Sequence, residues 1–242
     1  MADLTDRQKA LLKAIIEEYI ESAEPVGSEV IERKYELGVS PATIRIEMGK
    51  LTEAGFLKQP HTSAGRIPTS MGFRLYVSEL MKEKTLPVTA EVSIKEKMWQ
   101  ERYKREKLLN QAVKALAKQC DMLGLATDNE GELYYAGAAN ILDWPEFYDI
   151  DVARFVLGLF DENPRLIDII GKAQGTDPMH ILFGEDLGFE DLGPTGFVFT
   201  RYEVDPSKEG VIGVIGPARM NFSLVLPYVK YVRNLLVEAM RS

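Results

Sequence analysis

The chain has 242 residues, 45% of them hydrophobic and 27% charged, a make-up expected of a soluble globular protein with room for two domains. One cysteine, Cys120, excludes an internal disulfide and suits a reducing, cytoplasmic setting, and neither a membrane-length apolar run nor a basic-then-apolar leader is present, so no membrane partner is expected. The net charge of −8 argues against nucleic acid, but it is unevenly spread: residues 1–90 carry −1, residues 91–119 carry +4 and residues 120–242 carry −11.

In chain order, a first helix is expected from Thr5. Thr5 and Gln8 have capping-box spacing, in which each side chain satisfies a backbone donor of the other, and Leu12, Ile15, Ile16, Tyr19 and Ile20 then share one face. Glu24-Pro25-Val26-Gly27-Ser28 ends that helix and opens a short second one to about Tyr35, and Leu37-Gly38-Val39 reads as a turn. Ser40 is a good N-cap, and Pro41 suits the first helical position because its missing N–H needs no partner there. Ile44, Met48 and Leu51 fall on the buried side of this third helix. Ala42, Ile46, Gly49 and Glu53 lie near the opposite side, flanked by Thr43, Arg45 and Lys50, and Ala54-Gly55 closes the helix. Phe56-Leu57-Lys58 and Arg66-Ile67-Pro68 read as short strands around a polar tip, followed by a fourth helix capped by Thr69 or Ser70 with Phe73, Tyr76, Val77 and Leu80 on one side.

Lys82 to Ala90, charged and containing Pro87, reads as a linker. One long helix is predicted over Glu91 to Leu123, with Glu91–Lys95 and Glu101–Arg105 at the favourable i,i+4 spacing. A seam of Leu109, Val113, Leu116, Cys120 and Leu123 could pack within its own chain or form a dimer interface. From Glu132 the texture is mixed: a strand within Leu133–Leu142, helices over Val152–Phe160 and Leu166–Lys172, strands over Phe197–Tyr202 and Gly210–Ile215, and a closing helix over Phe222–Met240. The expected class is α/β (α+β), divided as residues 1–84, a winged helix-turn-helix, residues 85–125, a linker and long helix, and residues 126–242, a compact α/β domain.

Ser40 to Arg45, placed after a helix and a turn and before a hairpin, predicts a recognition helix beside a wing, and residues 40–74 hold five basic and two acidic side chains. Ser40 and Thr43 suit phosphates or bases, Arg45 a phosphate or the O6/N7 edge of guanine, and Ile46 a thymine methyl. Ala42 and Lys50 share that face. Lys58, His61, Thr62, Ser63 and Arg66 would track the backbone, with Arg66 reaching a phosphate or a minor groove. The plainer alternatives are an ordinary capped helix and a polar surface hairpin. Enzymatic chemistry is not expected. His61 and Ser63 lack an orienting carboxylate nearby in sequence, and two histidines with one cysteine make no His/Cys metal cluster. Asp149-Ile150-Asp151 reads as a helix cap, and Gly210 to Gly216 as a buried strand rather than a nucleotide loop. No cofactor is expected. A rival reading is a regulator whose C-terminal domain binds a small molecule.

Leu4-Thr5-Asp6-Arg7-Gln8-Lys9, Glu24 to Ser28, Ser40 to Arg45 and Pro60 to Thr69 closely resemble the heat-inducible transcription repressor HrcA family of bacteria. Gly213 to Phe222 resembles that family's C-terminal signature, and Glu132 to Phe147 its central pattern. The resemblance implies a dimeric repressor of chaperone genes on an inverted-repeat operator in double-stranded DNA. It also implies a GAF-like domain carrying an inserted dimerising domain, and activity supported by the GroEL chaperonin. Two departures stand out. Ile46-Glu47-Met48 replaces the family's Asn-[Asp/Glu]-Met, which removes a base contact, and the chain is shorter than the family, with little between the long helix and Glu132.

Overall fold

The structure is a computed structural model that describes residues 4–161, 163–173, 178–189, 192–205 and 209–242. The chain divides into two compact units, residues 1–82 and 83–242.

In the first unit α1 (Asp6–Ser22), α2 (Ser28–Lys34) and α3 (Pro41–Glu53) enclose a core of Leu11, Leu12, Ile15, Ile16, Ile31, Ile44, Met48 and Leu51. The capping box forms: the Gln8 amide donates to Thr5 Oγ1 and the Thr5 amide to Gln8 Oε1, at 3.3 and 3.0 Å. The turn before α3 places Gly38 at φ +67°, a conformation that favours glycine. β1 (Leu57–Lys58) and β2 (Ile67–Pro68) pair antiparallel, Leu57 opposite Pro68. Thr69 caps α4 (Ser70–Leu75), accepting from the Gly72 amide at 3.2 Å, and α4 runs on as a wider π-helical turn over Tyr76–Leu80. Phe73 and Tyr76 are buried as expected, Val77 and Leu80 half-buried. Burial, with Glu17 alongside, pushes the Tyr76 phenol up to about 12.

In the second unit the expected single helix is two, α5 (Val88–Gln100) and α6 (Arg105–Cys120). No proline or glycine breaks it. Instead Arg102 Nη1 takes the Trp99 carbonyl at 2.7 Å, its guanidinium stacks on the rings of Trp99 and Tyr103, and the backbone turns there. Long-range ion pairs stand where the i,i+4 pairs were expected: the break falls between Glu101 and Arg105, and Lys95 turns to a carboxylate on the closing helix. Lys95 pairs with Glu238 at 3.4 Å and Arg105 with Asp128 at 3.5 Å.

Five antiparallel strands follow, β3 (Leu123–Thr127), β4 (Leu133–Ala136), β5 (Met179–Phe183), β6 (Thr195–Glu203) and β7 (Glu209–Pro217), in the order β4-β3-β7-β6-β5. β3 and β5 were not expected. Leu123 ends the predicted seam but opens β3, and the predicted strand to Leu142 stops at Ala136, where a 3-10 segment over Ala138–Asp143 begins. Period-2 alternation assigns the two faces. Leu123, Leu125, Phe197, Phe199, Val211 and Ile215 join one core with α7 (Ile150–Asp161) and α8 (Asn163–Gly171). The opposite face carries α6 and α9 (Phe222–Arg241). α6 lies so close to β3 that a Cβ on Gly124 would fall 2.5 Å from the Val113 carbonyl oxygen. Leu109, Val113, Leu116 and Cys120 are thereby buried within their own chain, which removes this seam as a dimer surface. Burial alone pushes the Cys120 thiol up to about 12.

Asp149 does cap α7, its carboxylate accepting from the Asp151 amide at 3.0 Å, and Gly210 to Gly216 lie in β7. Pro227 inside α9 has no N–H to give the Ser223 carbonyl, and the Lys84 amide occupies that acceptor at 2.8 Å. Among the described residues no helix is long and apolar enough to cross a membrane. The whole is a mixed fold of helices and antiparallel sheet.

Candidate nucleic-acid interface

α3 is oriented by what it buries. Ser40 caps it, accepting from the Thr43 amide at 3.3 Å, and the two hydroxyls lie 3.1 Å apart. Ile44, Met48 and Leu51 turn inward. Ser40, Ala42, Arg45, Ile46 and Lys50 are left exposed and Thr43 half-buried, with Ile46 showing 61% of its surface to solvent. An isoleucine so exposed on a capped helix has no core to serve, and an apolar contact such as a thymine methyl suits it.

In the sequence Glu47 is one of the two acidic side chains of residues 40–74. It does not add negative charge to the outer face but is buried at 4% exposure between α3 and α1. It accepts from Lys50 Nζ at 3.0 Å, Gln8 Nε2 at 3.1 Å and Arg7 Nη2 at 3.2 Å. The Lys50 hydrogen bond does most to hold its carboxyl below the usual carboxylate range. Burial opposes this, while Gln8 and the charges of Lys50 and Arg7 reinforce it. Its position was legible, since Glu47 is three residues from Ile44 and four from Leu51, on the buried stripe. Glu47→Ala is expected to destabilise the first unit by about 1.5–3 kcal/mol, the worth of hydrogen bonds to a charged group, read from its melting transition. The depressed pKa means this contribution is complete above the ordinary carboxylate range and is lost as pH falls from there through the lowered value of the folded state. The gap between wild type and variant should therefore hold down to about pH 5 and shrink below it.

The wing is held to the helices by backbone. Val26 and Arg66 exchange both N–H···O bonds at 2.9 Å, a bridge between the α1–α2 connection and the base of the wing. Gly65 permits it: a Cβ there would lie 2.4 Å from the Val26 carbonyl oxygen. The Glu24–Ser28 stretch and the Ala64-Gly65-Arg66 stretch, far apart in sequence, therefore form one contact. Gln59 shapes the tip, its Nε2 donating to the carbonyls of Thr62 and Ala64 at 2.8 and 2.9 Å. Neither Gln59 nor this bridge was foreseen from the sequence.

Lys58, His61, Thr62 and Ser63 are exposed along the wing. Arg66 is only half exposed, with Nε donating to Thr52 Oγ1 on α3 at 3.1 Å and Nη1 lying 3.5 Å from the carbonyls of Ala64 and Gly65. A cleft of about 480 Å³ runs between the start of α2, α3 and the wing, and Arg45, Thr62, Ser63 and Arg66 line it together with Ser28 and Gln59. Elements brought together from about forty residues of sequence thus present hydroxyls, an amide and two guanidinium groups in one concavity.

The family model described as the HrcA protein C terminal domain matches residues 72–226. The heat-inducible transcription repressor HrcA of Symbiobacterium thermophilum is 28% identical, covering 98% of this chain and 99% of its own. That of Acetivibrio thermocellus is 28% identical, covering 97% and 96%. These alignments extend over 338 and 336 positions against the 242 residues of this chain, so both relatives contain a long stretch without a counterpart here. A crystal structure of a protein described as hypothetical superposes with a TM-score of 0.79 at 19% identity, covering 98% of this chain and 99% of that one, a likeness of fold. With a family model matched over more than half its length, the chain belongs to the HrcA family of heat-inducible transcription repressors.

Proposed function

We propose that this protein represses transcription by binding an inverted-repeat operator in double-stranded DNA as a homodimer, with α3 in the major groove and the wing on the adjacent backbone. It performs no catalysis in this reading. The observation that carries it is the outer face of α3, where Ser40, Ala42, Thr43, Arg45, Ile46 and Lys50 stand clear of the core beside a wing bearing Lys58, His61, Thr62 and Ser63. Arg45 has the reach to read guanine, and Lys50 and Lys58 the charge for phosphates. Arg66 acts through the wing, tying Thr52 to the loop and keeping part of its guanidinium toward the cleft. Family membership makes heat-shock and chaperone genes the proposed targets, the cytoplasm the proposed setting and the GroEL chaperonin a proposed partner.

Binding of Arg45→Ala and Arg66→Ala to operator and to random DNA tests this reading. Loss of Arg45 should cost about 1–3 kcal/mol on the operator and relax preference at one base position. Loss of Arg66 should weaken both DNAs alike, because it loosens the wing and not a base contact. Equal losses on both DNAs for Arg45→Ala would make it a phosphate ligand only, and unchanged binding in both variants would remove this face from the reading.

A further inference from the structure

The proposed homodimer requires a surface, and the seam on α6 is sealed inside its own chain. A different helix is left with an apolar line. α5 buries Ile94 and Met98, yet Val88 is 71% exposed, Val92 50%, and Tyr103, just beyond its end, 76%, while Trp99 is half-buried. Positions 88, 92, 95 and 99 follow 4,3,4 spacing and so trace a single line along the helix. Lys95 is the only charged residue in that line, and exposed Glu96 follows it directly.

We infer that this line on α5 is where a second copy of the chain docks, antiparallel, about a two-fold axis passing between residues 95 and 96. The inference rests on the dimeric reading proposed above and names the surface for it. Charge decides the direction. A parallel pair would set Lys95 against Lys95 and Glu96 against Glu96. The antiparallel pair sets Lys95 of each copy against Glu96 of the other, and the same register brings Val92 to Trp99 on both sides of the axis, with Tyr103, past the helix end, at the rim. A self-complementary patch is what a two-fold interface requires.

The aromatic end is already ordered in the single chain. Arg102 lies 4.1 Å over the Tyr103 ring and 5.5 Å over that of Trp99, and its Nη2 donates to the Tyr103 hydroxyl at 2.8 Å. A tyrosine this exposed and this firmly held loses little rotamer freedom on docking. A 13-residue helix is about 20 Å long, so the seam is short and the dimer should be reversible and of micromolar strength.

Sedimentation of the full chain without DNA tests the inference. The wild type should dimerise reversibly, and Val92→Asp should raise the dimer Kd about tenfold or more, since it places a carboxylate in an apolar contact. Val92 is half exposed in the single chain, so circular dichroism should be unchanged. Lys95→Glu and Glu96→Lys should each weaken the dimer, and the double swap should restore it, because opposite charges again face each other. The intrachain Lys95–Glu238 pair is exposed on both sides and contributes little to this comparison. A wild type that is monomeric at about 100 µM overturns the inference, as does Val92→Asp with an unaltered Kd. A double swap no tighter than the singles overturns the antiparallel register. A chain that dimerises through α5 yet binds no operator keeps this inference and refutes the proposed function.

Discussion

Arg219→Ala is expected to lower the stability of the C-terminal unit by about 3–5 kcal/mol, the usual loss when one partner of a buried ion pair is removed. The Arg219 and Glu146 side chains are 6% and 15% exposed. Nη2 of Arg219 donates to Glu146 Oε2 at 3.2 Å while Nε donates to Oε1, and the guanidinium lies 5.3 Å over the Trp144 ring. Trp144 in turn gives its indole N–H to the Asp121 carbonyl at 3.0 Å, so the cluster ties the residue after β7 to the segment after β4 and to the end of α6. Removing the cation strands a carboxylate that has little water to turn to. Urea unfolding should show the loss, and adding Glu146→Gln to Arg219→Ala should recover part of it by removing the stranded charge. A loss below about 1 kcal/mol would mean that water reaches Glu146 and that the pair is in effect a surface one.

Operator binding is expected to fall by about 10³–10⁵ between 50 and 200 mM salt, a slope of log K against log salt of roughly −5 to −9 for a dimer. Each phosphate neutralised releases condensed counterions and contributes about −0.9 to that slope. The geometry favours the shallow half of the range. Lys50 shares its charge with Glu47, and Arg66 spends Nε and Nη1 inside the wing, so each arm offers phosphates less than its full count of cations. Fluorescence anisotropy with a labelled operator measures the slope. A nearly flat response would mean that neither α3 nor the wing lies on phosphates.

The first unit was legible because its signals are local. A capping box at Thr5, a Ser-Pro helix start at Ser40 and a glycine in the wing each act over a few residues, and the helices fell where those signals put them. What sequence reasoning lost there was non-local. The Val26–Arg66 bridge and the Glu47 cluster depend on residues about forty positions apart, and spacing within one segment carries no trace of a partner in another. The second unit was harder for the same reason. Leu123 to Thr127 continues an apolar pattern begun in α6, and only pairing with β7 and β4 makes it a strand. The break at Glu101–Lys104 has no proline or glycine to announce it. It follows from an arginine folding back on two aromatic rings, against a periodicity that would have let the helix continue.

The single thiol has a practical consequence. Cys120 lies 5% exposed at the end of α6, and burial pushes its thiol well above the ordinary range, so at neutral pH it is held as the unreactive thiol. The folded chain is therefore chemically silent toward maleimides, iodoacetamide and mild oxidants. A cysteine introduced anywhere on its surface becomes a unique handle, so a spin label or fluorophore on the wing can report the wing alone without first removing the native residue.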